Sequence, residues 1–218
     1  NPTFHDVTFA SVGGGNAHDC SISGKLTFVG PGVYSTNFSS TVNEIEFQQS
    51  GVISGNATPA ALFNTATFLD NGSIFGDNIF GQLTFSAGKT YVLAAGTTQT
   101  ITPLGNFIAE GTGGFPIEIK SSQLGTQATI QKDGDPVCLD FLFLTDMAAT
   151  GSSAFYAGIN SDDVNNNSGW IFAACPGCFT GPALPAPVLD PASVTAVSPG
   201  QQATLILQDL PAGYEAVW

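Results

Sequence analysis

The chain has 218 residues, 43% of them hydrophobic and only 10% charged, with 26 glycines and 13 prolines. Four lysines face 17 acidic residues for a net charge of −13, and no arginine occurs. Nucleic acid and anionic membrane surfaces are held by clustered cations, so this balance argues against both, and the apolar fraction is too high for a disordered acidic tail.

The chain opens Asn1-Pro2-Thr3-Phe4, with neither Met nor a basic-then-apolar leader, and stops at Trp218 inside a strand-like run. We therefore expect a mature or excised segment of something longer. The longest apolar run, Cys138 to Leu144, is broken by Asp140. It falls well short of the roughly 18–20 residues that span a bilayer, so no membrane insertion is expected.

Helical periodicity is missing, and Gly or Pro punctuates nearly every ten residues. Short β-branched and aromatic runs follow one another instead: Val7-Thr8-Phe9, Lys25-Leu26-Thr27-Phe28, Glu44-Ile45-Glu46-Phe47, Ala66-Thr67-Phe68 and Gln82-Leu83-Thr84-Phe85. Their terminal phenylalanines are spaced by 19, 19, 21 and 17 residues. A strand recurring at that interval is the period of a β-solenoid coil, in which like residues stack on like and Phe forms an interior ladder. Pro31-Gly32 and Asp70-Asn71-Gly72 supply the sharp corners. The expected fold is all-β, a right-handed parallel β-helix over 1–172. A Greek-key or up-and-down β-sandwich is the competing architecture.

Beyond Phe85 the spacing blurs while strands continue, through Tyr91-Val92-Leu93, Asn106-Phe107-Ile108, Ile117-Glu118-Ile119, Ala128-Thr129-Ile130, Phe141-Leu142-Phe143-Leu144 and Trp170-Ile171-Phe172. Several stretches here carry a resemblance. They are Leu83-Thr84-Phe85-Ser86-Ala87-Gly88-Lys89-Thr90-Tyr91, Gly96-Thr97-Thr98-Gln99-Thr100-Ile101, Pro116-Ile117-Glu118-Ile119-Lys120-Ser121-Ser122 and Gly125-Thr126-Gln127-Ala128-Thr129-Ile130. Val137-Cys138-Leu139-Asp140, Asp146-Met147-Ala148-Ala149 and Ser168-Gly169-Trp170-Ile171-Phe172 complete the set. Together they resemble the β-solenoid module of very large type IX-secreted surface proteins of Bacteroidota, including gliding-motility adhesins. The likeness covers residues 60–172 well and 1–60 more loosely. It implies a secreted, cell-surface, non-enzymatic structural and adhesive segment. Its partners would be the rest of a larger polypeptide or a neighbouring protomer, the secretion machinery and surface glycans.

Residues 173–187, rich in Ala, Pro, Gly and Cys, read as a linker or cap. Residues 188–218 resemble the first strands of an immunoglobulin-like or PKD-like domain, too short to close a sandwich alone. They are completed elsewhere in a longer chain, or they add to another chain's sheet edge.

Four cysteines, Cys20, Cys138, Cys175 and Cys178, suggest an oxidising compartment and one or two disulfides, with the pairing left open. Cys175-Pro176-Gly177-Cys178 lacks both the following helix of a redox site and the second ligand pair of a zinc site. Gly88-Lys89-Thr90 imitates a phosphate-binding loop, but Leu83 stands where its first glycine belongs. His5-Asp6 and His18-Asp19-Cys20 read as turn residues rather than a nucleophile and its base. The enzymatic rival, a carbohydrate-active β-helix, would draw on Asp140 and Asp146, yet such residues more often bind turn backbone. A second rival is a secreted filament subunit that assembles by strand complementation. One cofactor is considered: Asp162, Asp163, Asn165 and Asn167 alternate oxygen ligands as calcium requires, although Ser168 replaces the expected glycine and no Glu closes the loop. Glycosylation sequons at Asn37, Asn56, Asn71 and Asn166 would matter only in a glycosylating host.

Overall fold

The computed structural model describes residues 2–37, 39–55 and 60–176, with the backbone of 188–189 and 207–208. Parallel strands stack as a β-solenoid of about nine turns, and the described residues contain no helix. The first coil is β1 (Thr3–Phe4), β2 (Val7–Phe9) and β3 (Gly15–His18). Four coils of two strands follow: β4 (Ser21–Phe28) with β5 (Gly32–Thr36), β6 (Thr41–Phe47) with β7 (Gly51–Gly55), β8 (Ala61–Phe68) with β9 (Gly72–Phe75), and β10 (Asn78–Phe85) with β11 (Thr90–Leu93). The sixth pairs the long β12 (Thr98–Ala109) with β13 (Ile117–Ser121). Then come β14 (Ala128–Lys132), β15 (Val137–Cys138) and β16 (Leu142–Thr145), followed by β17 (Met147–Thr150), β18 (Phe155–Tyr156) and β19 (Asp162–Asn165), and finally β20 (Trp170–Ile171).

One nine-stranded sheet runs β1-β4-β6-β8-β10-β12-β14-β17, with β2 also on β4. An eight-stranded sheet runs from β3 to β19, and β15-β18-β20 form a third. The third sheet arises from the sequence. Register between β10 and β12 jumps after Phe80, because residues 102–105 are inserted into the strand. One coil later the two halves of the strand have become the separate β14 and β15.

The phenylalanine ladder exists as spaced. Phe9, Phe28, Phe47, Phe68 and Phe85 pair in register across successive strands. Centroids of the first four rings lie 4.9, 5.1 and 4.8 Å apart, with interplanar angles of 20° or less. Phe28, Phe47 and Phe68 are wholly buried. A second column runs Ile22, Val42, Phe63, Phe80 and Ile101. Each buried aromatic contributes about 1.5–3 kcal/mol of transfer free energy, with stacking adding about 0.5–1.5 kcal/mol per pair.

A column of glycines runs beside the phenylalanines. Gly15, Gly32, Gly51 and Gly72 are mutual register partners in the opposite sheet. A Cβ on any of them would overlap the ring of Phe9, Phe28, Phe47 or Phe68 in its own coil. The missing side chain makes room for the ring, and none of the four needs a left-handed backbone.

Contacts divide the chain into two units, Asn1–Cys175 and Pro176–Trp218. In the second, β21 (Val188–Leu189) pairs antiparallel with β22 (Leu207–Gln208). The rest of the linker and immunoglobulin-like expectations lies outside the described residues, as does Cys178.

Candidate functional site

Short acidic and amide side chains in the breaks between strands bond the neighbouring coil, Asp6 between β1 and β2 on one face and the others at coil corners. Asp6 Oδ1 accepts the backbone N–H of Lys25 at 2.7 Å, Asp19 Oδ1 that of Asn37 at 2.7 Å, and Asp77 Oδ1 that of Thr98 at 2.7 Å. Asn71 Oδ1 accepts from Thr90 at 2.9 Å and Asp133 Oδ1 from Ser152 at 2.7 Å. Each bond spans one coil. A corner turns its backbone away from the sheet ladder, and a short side-chain acceptor from the neighbouring coil satisfies the N–H left over. These amides hold the carboxyls of Asp6, Asp19 and Asp133 below their ordinary range, and Lys89, 2.8 Å away, does the same for Asp70.

Asp140 and Asp146, the pair an enzyme would draw on, belong to the same system. Asp140 Oδ1 accepts from the N–H groups of Phe141 and Asn160, both at 3.0 Å, and its Oδ2 accepts Asn160 Nδ2 at 2.7 Å. Asp146 is buried with φ +54°, accepting Gly125 N–H on Oδ2 at 3.0 Å and Asn166 Nδ2 on Oδ1 at 2.6 Å. Every carboxylate oxygen of the two has a partner already. This agrees with reading them as turn-bonding residues.

The calcium candidates lie on and just after one strand. Asp162, Asp163 and Asn165 lie along β19, whose residues are all exposed. Asn167 Oδ1 accepts Met147 N–H at 2.8 Å, while its Nδ2 donates to Leu144 O at 2.7 Å and Asp163 Oδ1 at 2.6 Å. Asn167 thus ties three coil segments together. Among the described residues no group of three or more His, Cys, Asp or Glu side chains could hold a metal ion.

His5 and His18 are exposed, each beside its neighbouring aspartate, at 3.1 and 2.8 Å. Cys20 is buried as a free thiol, and burial raises its pKa. Its carbonyl accepts the Tyr34 hydroxyl at 2.6 Å, and burial pushes that phenol up to about 12. Cys138 and Cys175 form a disulfide, Cα–Cα 5.5 Å. The sequon asparagines Asn71 and Asn166 are occupied by the corner bonds described above; Asn56 lies outside the described residues.

Sequence reasoning missed two buried polar features. Asn78 and Gln99 are register partners inside the core, joined at 3.0 Å. Lys132 replaces an apolar residue in the column after Ile101, and its buried ammonium donates to the carbonyls of Pro103, Asp133 and Asp135 at 3.2–3.3 Å. It closes the space opened by the 102–105 insertion, where a hollow of about 270 Å³ remains. The available signal was Lys132 at an inward position of an alternating strand.

On the outer face of the nine-stranded sheet, beside the Lys25–Glu44–Glu46 ion pairs, two rows of side chains are polar and uncharged. Thr3, Ser21 and Thr41 fall in one row, and Ser23, Asn43 and Asn64 in the next, with Asn64 Nδ2 donating to Asn43 Oδ1 at 3.1 Å. They line a shallow hollow of about 280 Å³. No described helix is long and apolar enough to cross a membrane. Compared with known proteins, the chain matches no family model, no curated protein and no solved structure.

Proposed function

We propose that the chain is a non-enzymatic structural and adhesive segment of a large secreted bacterial cell-surface protein, exported by type IX secretion. The carrying observation is the inter-coil use of its reactive groups. Carboxylates in the breaks between strands bind the backbone of the adjacent coil, which suits a stiff spacer better than a catalytic cleft. The resemblance across 60–172 supplies the cellular setting. Any adhesion would use an exposed sheet face. The uncharged hydroxyl and amide rows at Thr3, Ser21, Ser23, Thr41, Asn43 and Asn64 suit neutral surface glycans, which need hydrogen bonds and no cation.

The test is an antibody raised against this segment and applied to intact source cells, with and without surface proteolysis. Surface labelling that protease removes, together with weaker attachment of cells lacking the segment, is the expected result. Labelling only after lysis would sink the reading.

A further inference from the structure

Apolar and acidic side chains alternate on one outward patch of coils six to eight. On the outer face of the eight-stranded sheet, Glu118, Phe143 and Asp162 are register partners across β13, β16 and β19. Three residues before each of them in sequence, at the adjoining corner, stand Phe115, Asp140 and Ile159. The corner is tied together at its middle member. The Gly111 N–H donates to the Asp140 carbonyl and the Asn160 N–H to Asp140 Oδ1, both at 3.0 Å. Phe115, Phe143 and Ile159 nevertheless remain 66%, 37% and 69% exposed. Single exposed apolar residues are ordinary, but three interleaved with carboxylates make a patterned surface.

The phenyl ring of Phe143 has a carboxylate one strand away on either side, about 4.8 Å off in the pairing direction. Glu118 is already engaged, accepting Lys120 Nζ at 3.0 Å and the Thr90 hydroxyl at 2.9 Å. Asp162 makes no hydrogen bond or ion pair among the described residues. An exposed aromatic ring beside an unpaired carboxylate attracts a cation twice, through the ring quadrupole and through charge. The chain does not supply that cation itself. It has no arginine, Lys25, Lys89 and Lys120 are ion-paired, and Lys132 is buried.

We propose that this patch is a docking surface for a basic segment of a separate protein, one that alternates arginine or lysine with apolar side chains. Its cation sits between Phe143 and Asp162, and its apolar residues cover Phe115 and Ile159. A second copy of this chain is excluded because its lysines are all engaged. Further coils of the same solenoid are excluded by direction: they stack along the coil axis, whereas the patch looks sideways from the wall.

Fluorescence anisotropy of a labelled synthetic peptide of alternating arginine and leucine, titrated with the 218-residue chain, tests it. Saturable binding that weakens as salt rises is expected. Phe143→Ala and Asp162→Asn are each expected to weaken it by about fivefold or more. Phe143→Leu, which keeps apolar bulk but no aromatic face, should weaken it similarly even if the alanine variant folds poorly. Asp135→Asn removes an exposed carboxylate in the β14–β15 connection and should leave affinity within about twofold. An equal loss in all these variants would overturn the proposal, since general charge attraction would then account for binding. Equally tight binding of an arginine–serine peptide would overturn it too, as would no binding at all. Neutral oligosaccharides binding at Phe143 in place of the peptide would assign the patch to glycans instead.

Discussion

Tyr91 stacks on Phe85 with centroids 3.8 Å apart and planes 6° from parallel. It does so from the register position that the preceding coils fill with glycine. Phe85 consequently leaves the stacked column and meets Phe68 edge-on at 72° and Phe107 at 89°. One exchange, glycine for tyrosine, ends the parallel stack and starts a differently packed half of the rod.

The glycine column gives a paired test. Gly51→Ala forces a Cβ into the Phe47 ring, and overpacking of this kind costs about 1–3 kcal/mol. Gly114→Ala meets nothing within 4 Å and is expected to stay within about 0.5 kcal/mol of the parent. Urea midpoints of the two variants check this; equal midpoints would remove the steric account.

Truncating the ladder should cost far more than truncating an equally large exposed ring. Phe47→Ala, in the fully buried column, is expected to lose about 3–5 kcal/mol. Phe115→Ala, at 66% exposure, is expected to lose about 0.5 kcal/mol or less. Thermal and chemical denaturation read both.

Acid should loosen the corners. The carboxyls of Asp6, Asp19 and Asp133 titrate below the ordinary 3.8 because backbone amides stabilise their charged form. A depressed folded-state pKa contributes stability that is present above 3.8 and lost as pH falls through the folded value. Stability is therefore expected to drop below about pH 4, with exchange at Lys25, Asn37 and Ser152 rising first. Asp133→Asn keeps an acceptor but no titrating group, so exchange at Ser152 should lose part of its acid dependence.

Reducing the Cys138–Cys175 bond should lower stability by up to about 3–4 kcal/mol, the loop-closure value for a separation of 37 residues. Cys138→Ser should reproduce the shift and become insensitive to reductant. Cys20, buried with its thiol pKa raised, should resist alkylation until the chain unfolds.

The coil stack was legible because Phe9 to Phe85 recur at nearly the coil length, and inward stacking demands the same residue type each time. The pattern faded after Phe85 for a physical reason. Its next register partner is Ala109, displaced by the insertion at 102–105, so neither residue type nor spacing persists. Gly32, Gly51 and Gly72 each follow their phenylalanine by four residues, a visible repeat, but as glycines they read as turn punctuation rather than as space for a ring. The turn-bonding role of Asp140 was foreseeable from its residue type. The pairing of Cys138 with Cys175 was not, since it depends on which coils end up adjacent.

The Cys138–Cys175 bridge also bears on how the solenoid would respond to tension. Pulling the chain from its ends would peel the parallel coils one at a time, since each contacts only its neighbours. The cross-link lies across β16 to β20, so tension entering from the downstream side bypasses those windings and reaches the polypeptide at Cys138. An oxidised rod therefore has a shorter extensible length than a reduced one, with its last windings held out of the unravelling.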